Sequence, residues 1–259
     1  MELGLRGRKA LITGGSKGIG LATASRLAAE GCDVTIVART AADLDAARER
    51  IAAQHNVAVH GLAFDLSDSR NVDRLAGEAP EIDILVNNAG AIPGGSIEEI
   101  DEVRWRAAWD LKVYGYINMT RRFYAAMKSR GRGVIVNVIG SGGERLDADY
   151  IAGASGNASL MAFTRALGGS SPRDGIRVVG INPGPVATDR LVTLLQRRAA
   201  NRFGDPARWR ELLQTMPFGR AASADEIAAM AAFLASDLSA YTSGTIVTID
   251  GGLANRAGA

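Results

Sequence analysis

The segment Thr13-Gly14-Gly15-Ser16-Lys17-Gly18-Ile19-Gly20 lies between a short apolar run and a stretch with helical spacing over residues 18–30. Glycines at such a turn allow positive φ and let the backbone approach a pyrophosphate closely, while the helix beyond offers unpaired N–H groups and a positive dipole end. Binding of a phosphate-bearing ligand is the chemistry this spacing favours, and a strand-turn-helix context is what a dinucleotide-binding turn requires. Further turns of the same character end later apolar runs: Asn87-Asn88-Ala89-Gly90, Asn182-Pro183-Gly184-Pro185-Val186-Ala187-Thr188 and Asp250-Gly251-Gly252. Metal chemistry has little support. Cys32 is the only cysteine, and His55 and His60 read as surface residues flanking a third strand.

Apolar, β-branched runs at residues 10–13, 34–37, 82–86, 133–138, 176–181 and 245–249 read as buried strands. Helical spacing occupies roughly 18–30, 40–54, 68–77, 98–129, 154–170 and 224–236 between them. Strand followed by helix, repeated, predicts an α/β fold: a doubly wound parallel sheet with helices on both faces. The rhythm runs to residue 250 without a linker, so one domain over 1–259 is expected. An insertion at 188–217 carries Arg190, Arg197, Arg198, Arg202, Arg208 and Arg210 with Phe203 and Trp209. It follows the carboxyl end of a strand, where ligands bind in open α/β sheets, and it is expected to close over the substrate as a lid. Its arginines would favour a carboxylate or phosphate on that substrate, or else face water.

Composition narrows the classes further. The 259 residues carry 30 Lys+Arg against 28 Asp+Glu, with no polybasic tail, which argues against nucleic acid as a partner. No run of about 18 apolar residues occurs, so a membrane partner is not expected either. A lone cysteine suits a reducing cytoplasm, and the expected partner is a small-molecule substrate.

Taken together, the TGxxxGxG turn, the NNAG segment, the PG turn and the terminal DGG resemble the short-chain dehydrogenase/reductase family over essentially the whole chain. The resemblance implies a Rossmann-type, seven-stranded sheet, a nicotinamide dinucleotide and a homotetramer, or a homodimer. It places Gly14, Ser16, Gly18, Ile19 and Gly20 at the pyrophosphate, and Lys17 in the same turn could add a second positive charge near a 2′-phosphate. Asp65 and Leu66 fall at the adenine, and Asn87, Ala89 and Gly90 along the cofactor. Pro183, Gly184, Val186 and Thr188 fall at the carboxamide end. At the close of the second strand the acidic position is filled by Ala38, and Arg39 follows. An acidic residue there would bond the ribose hydroxyls and repel a 2′-phosphate, whereas Arg accepts the phosphate, so NADP(H) is expected, with NAD(H) as the alternative.

Members of the usual type carry an Asn-Ser-Tyr-Lys tetrad. Tyr exchanges the proton at the carbonyl oxygen, Lys holds the ribose and lowers the Tyr pKa, Ser orients the substrate, and Asn holds a water against the Lys. Carried over on Leu160-Met-Ala-Phe-Thr-Arg-Ala-Leu167, the Tyr position is Gly153 and the Lys position Asn157; the Ser position is Gly140 and the Asn position Lys112. None of the four family side chains stands in its place. One reading is a displaced working site of Lys112, Ser141, Tyr150 and Asn157. Tyr150, three residues before Gly153, would share a helix face with it and with Asn157, and Lys112 would exchange places with Asn157. The spacing from Tyr150 to Asn157 is similar to that of enoyl reductases of the same superfamily, although the glycine turn is not of their type. The competing readings are a dinucleotide-binding protein without dehydrogenase chemistry, acting as a sensor or structural element, and an acid drawn from Glu144, Asp147 or Asp149.

Overall fold

The computed structural model describes residues 2–79 and 81–256. Seven strands form one sheet: β1 (Lys9–Thr13), β2 (Asp33–Ala38), β3 (Val59–Ala63), β4 (Ile84–Asn87), β5 (Gly133–Val138), β6 (Ile176–Pro183) and β7 (Ile246–Ile249). Their order is β3-β2-β1-β4-β5-β6-β7, and every pairing is parallel. Parallel strands need crossovers, and helices α1 (Gly18–Ala29), α2 (Ala41–Ala52), α3 (Ser69–Glu78), α4 (Glu102–Trp109), α5 (Gly115–Arg130), α6 (Ile151–Ser170), α7 (Asp189–Phe203) and α8 (Ala224–Ala235) supply them. Alternate strand residues feed opposite faces. Ala10 and Ile12 join an apolar layer with Leu27 and Ala231, while Leu11 joins another with Leu75 and Phe123. Burial on both faces explains why the strands read as unbroken apolar runs rather than alternating ones. Among the described residues, no helix is long and apolar enough to cross a membrane.

The sheet matches the Rossmann-type expectation, and three local differences matter. First, the helix expected over 98–129 is two helices joined by a π turn at Asp110–Tyr114 that carries Lys112. The π turn keeps the chain helical while shifting the phase of the pattern by about one residue, so a reading for helix alone runs through it. Second, α6 starts at Ile151, with Tyr150 as its N-cap, rather than at residue 154. Third, His60 lies within β3, paired with Thr35, instead of flanking the strand; it is exposed on this edge strand.

Asn87 and Asn137 pair across β4 and β5 at their carboxyl ends. Asn87 Nδ2 donates to Asn137 Oδ1 (2.9 Å) and Thr120 Oγ1 (3.1 Å), and Asn137 Nδ2 donates to Thr164 Oγ1 (2.9 Å). These buried side-chain bonds tie both strand ends to α5 and α6, while Asn87 Oδ1 is left without a partner among the described residues. The helices that carry the site are thereby fixed to the sheet. The Trp109 indole N–H donates to the Ala152 carbonyl at 2.9 Å, and Gly156 admits that indole against α6, so Trp109 is a packing residue.

Candidate active site

The glycine turn has the form its sequence requires. Gly14 and Gly18 adopt φ of +66° and +53°, and a Cβ on Gly20 would collide with the Gly14 carbonyl. The turn is clamped from β4: Asn88 Nδ2 donates to the carbonyls of Thr13 (3.1 Å) and Gly14 (3.3 Å), and Thr13 Oγ1 accepts from the amides of Asn88 (2.9 Å) and Ala89 (3.0 Å). Lys17 caps α1 without a side-chain bond, and the first turn holds no acid. The α1 N–H groups are left to an anion, with the dipole in its favour. A Cβ on Gly18 would lie 3.2 Å from Thr188 Cγ2, and one on Gly184 would meet Asp250, so the PG turn and the DGG turn close on the same place. The cradle, the uncapped helix and the lack of acid fit a dinucleotide pyrophosphate.

The remaining expected cofactor residues border this cradle. Ser16 and Ile19 are half-buried within it, and Asn87 and Pro183 are buried at strand ends. Asp65 Oδ1 accepts from the Ser67 amide (3.0 Å) and hydroxyl (2.7 Å), which shapes the loop after β3, and Leu66 is buried beside it. Arg39 is exposed at the end of β2 and makes no ion pair or hydrogen bond among the described residues. Lys17 Nζ instead pairs with Asp43 of α2 at 2.9 Å. Arg39 is thus left without a protein partner among the described residues at the end of β2.

Four glycines shape the space around Tyr150, Asn157 and Lys112. A Cβ on Gly153 would fall within the Tyr150 ring, and one on Gly142 would touch the same ring at 3.3 Å. A Cβ on Gly140 would lie 3.0 Å from Asn157 Nδ2, and one on Gly90 would lie 2.8 Å from Lys112 Cδ. The side chains of Tyr150, Asn157 and Lys112 each fill space that a neighbouring residue leaves by having none. Ser141 opens a short 3₁₀ turn, Ser141–Gly143, packed against both Tyr150 and Asn157 through Gly142. Its carbonyl accepts from the amides of Glu144 and Arg145 at 2.9 Å, and its hydroxyl is without a partner among the described residues.

Lys112 is buried, and its Nζ donates to the Ile139 carbonyl at 2.6 Å. Burial, with the nearby Arg190 charge adding to it, pulls the ammonium pKa down to about 7. The charged form is thereby disfavoured relative to an ordinary lysine. Asn157 is 2% exposed, and its Oδ1 is buried with no hydrogen-bond partner. Such an orphan acceptor costs about 1–3 kcal/mol and marks a place where a ligand or water is expected. Lys112 and Asn157 therefore flank the same Ile139–Gly140 segment from two helices.

The lid expectation needs one correction. α7 and the 3₁₀ segment Pro206–Thr215 share a small apolar cluster of Leu195, Ala199 and Leu212. Five of the six arginines are committed elsewhere than the cleft. Arg197 pairs with Glu99 and donates to the Gly94 carbonyl, Arg198 pairs with Asp147, and Arg208 pairs with Glu211. Arg202 and Arg208 stack on Phe203, and Arg210 on Trp209. Only Arg190 turns to the site: Nη2 donates to the Ile92 carbonyl (2.8 Å) and the Tyr150 hydroxyl (3.3 Å), and Nη1 to the Gly90 carbonyl (3.3 Å). Sequence reasoning grouped it with the lid charges. Its place two residues after Thr188, at the head of α7, was the available signal.

Two of the three carboxylates weighed as alternative acids are engaged, and the third, Asp149, is exposed. Glu144 accepts from Asn182 Nδ2 (2.9 Å) and Thr248 Oγ1, and Asp147 is held by Arg198 and by the Asp149 amide. Among the described residues, no group of three or more His, Cys, Asp or Glu could hold a metal ion.

Comparison with known proteins agrees with this geometry. The family model described as enoyl-(acyl carrier protein) reductase matches residues 14–254. Galactitol 2-dehydrogenase (L-tagatose-forming) of Cereibacter sphaeroides is 33% identical, over 96% of this chain and 95% of that protein. The NADPH-dependent reductase BacG of Bacillus subtilis is 30% identical, over 95% of this chain and 97% of that protein. The crystal structure of L-sorbose reductase from Gluconobacter frateurii, complexed with NADPH and L-sorbose, superposes with a TM-score of 0.90 at 30% identity, over 99% of this chain and all of that one. The seven-stranded parallel sheet, the clamped glycine turn and these relatives together establish that the chain belongs to the short-chain dehydrogenase/reductase family of oxidoreductases.

Proposed function

We propose that this protein is an NADP(H)-dependent oxidoreductase that transfers hydride between the nicotinamide and a carbonyl or alcohol carbon of a small molecule, with Tyr150 as the proton donor. One observation carries the reading. The Tyr150 ring occupies the volume above Gly153, the position at which relatives of the usual type are expected to bear their tyrosine. A shift of three residues in sequence is offset by a ring that folds back over the helix start.

The bound cofactor supplies the hydride. The chain's own part is the proton, the charge and the geometry. Tyr150 delivers its hydroxyl proton to the substrate oxygen as negative charge develops there, a step worth about 10²–10⁴ in rate when the acid is in place. Lys112 supplies positive charge, and a proton to relay, from the opposite helix. Asn157 offers its unpartnered Oδ1 where the usual lysine would stand, and the Ser141 hydroxyl orients the substrate oxygen. NADP(H) is favoured by Arg39 and by the lack of an acid at Ala38; NADPH-dependent relatives support the same choice. We extend the proposal to one domain with a lid over 188–217, a cytoplasmic setting and a homotetramer or homodimer, the last checked by small-angle scattering.

The test is turnover on a carbonyl panel with NADPH and NADH. The names of the relatives set the panel: L-sorbose, L-tagatose and acetoacetyl-CoA. Oxidation of NADPH on a ketone supports the reading. Tight NADPH binding with no turnover on a broad panel overturns it in favour of a binding protein.

A further inference from the structure

Tyr150 stands at the cap of α6, outside the first helical turn, and its hydroxyl has one hydrogen-bond partner among the described residues, Nη2 of Arg190 at 3.3 Å. The same planar cation also holds the Ile92 carbonyl at 2.8 Å and the Gly90 carbonyl at 3.3 Å. Three acceptors from two segments thus converge on one guanidinium. Arg190 is the second residue of α7, and two residues before it Thr188 contacts the place of a Gly18 side chain. The head of α7 therefore spans from the phosphate turn to the proton donor.

We propose that Arg190 is the positioning residue for Tyr150: it holds the phenol oxygen so that the O–H faces substrate, and it links that alignment to the seating of α7. The inference rests on the reading of Tyr150 as proton donor. A guanidinium can only donate, so its N–H occupies a lone pair of the phenol oxygen and leaves the phenolic hydrogen for an incoming acceptor. When the carbonyl carbon receives hydride, the C=O π pair moves to the substrate oxygen and takes the Tyr150 proton. The Tyr150 O–H pair stays on the phenolate oxygen, which then faces Arg190 through a charge-assisted hydrogen bond. A solvent proton restores the phenol. Lysine, a single point charge, cannot span all three acceptors.

The experiment is a double-mutant cycle on the full chain, using the ketone substrate of the panel and following kcat, KM and the NADPH dissociation constant. Arg190→Met is expected to lower kcat roughly 10- to 100-fold with the NADPH dissociation constant within about threefold of wild type, and Arg190→Lys to fall between. In a Tyr150→Phe background the Arg190→Met change is expected to cost less than about threefold more, because the group it acts through is gone. The pH profile of kcat is expected to move in Arg190→Met and Arg190→Lys, a readout that a purely structural contact would leave alone. If Tyr150→Phe matches wild type, the proton-donor reading fails and the Arg190 role falls with it. If Tyr150→Phe is slow but Arg190→Met and Arg190→Lys are both as fast as wild type, or if Arg190→Met costs the same in both backgrounds, the Arg190 inference alone is overturned. Melting temperatures separate these outcomes from misfolding, with Arg190→Lys as the milder variant.

Discussion

The Tyr150 ring lies where any side chain on Gly153 would have to go. The two residues share one volume, and the absence of a Cβ at the third position of α6 is what lets a tyrosine from the helix cap fold its ring over the helix start. Gly153→Ala is therefore expected to expel the ring. Alanine is the better helix former by about 1 kcal/mol, so global stability should change little. Turnover should fall by about 10²–10⁴, the usual worth of a placed general acid, with NADPH affinity retained. Steady-state rates beside a binding titration check this. Full activity in the alanine variant would show that the ring position does not matter.

Lys112 gives a pH-dependent stability with a definite sign. Burial lowers its pKa from 10.5 to about 7 in the folded chain, so between those values the unfolded chain binds more protons and stability rises with pH. Below about pH 7 the whole penalty is present, on the order of a few kcal/mol. Lys112→Met is expected to raise the melting temperature most at pH 6, with the advantage over wild type shrinking toward pH 9. Thermal melts of the unliganded proteins at pH 6, 7.5 and 9 measure it. An advantage that does not change with pH would contradict burial of the charge as the cause.

In the proposed reading cofactor choice turns on Arg39, since Lys17 is paired with Asp43. Arg39→Ala is expected to weaken NADPH by about 10-fold or more, the worth of one charge-assisted phosphate contact, while NADH binding stays within about twofold. Fluorescence titration with both cofactors distinguishes this from a general loss of binding. An equal loss for the two would place Arg39 outside the 2′-phosphate contact.

The fold was legible because burial on both faces writes the central strands as continuous apolar runs and because the first glycine turn stands between a strand and a helix; the exposed edge strand β3 carries no such run. The catalytic end was legible only in part. Lys112, Ser141, Tyr150 and Asn157 could be proposed from the family pattern, but no local signal in the sequence marks the π turn at Asp110–Tyr114 that carries Lys112. In the sequence Arg190 is set apart from Arg197, Arg198 and Arg208 only by its place two residues after Thr188. All four sit on the same basic insertion, and the partners that claim the other three, Glu99, Asp147 and Glu211, are settled by tertiary packing.

The most direct test of the account is the rate of NADPH oxidation by Tyr150→Phe against wild type on the same ketone, with the NADPH dissociation constant measured in parallel. The substitution removes one oxygen and keeps the ring that fills the Gly153 space, so cofactor binding should be unchanged while kcat falls by about 10²–10⁴. Equal rates would contradict Tyr150 as the proton donor and, with it, the displaced active site.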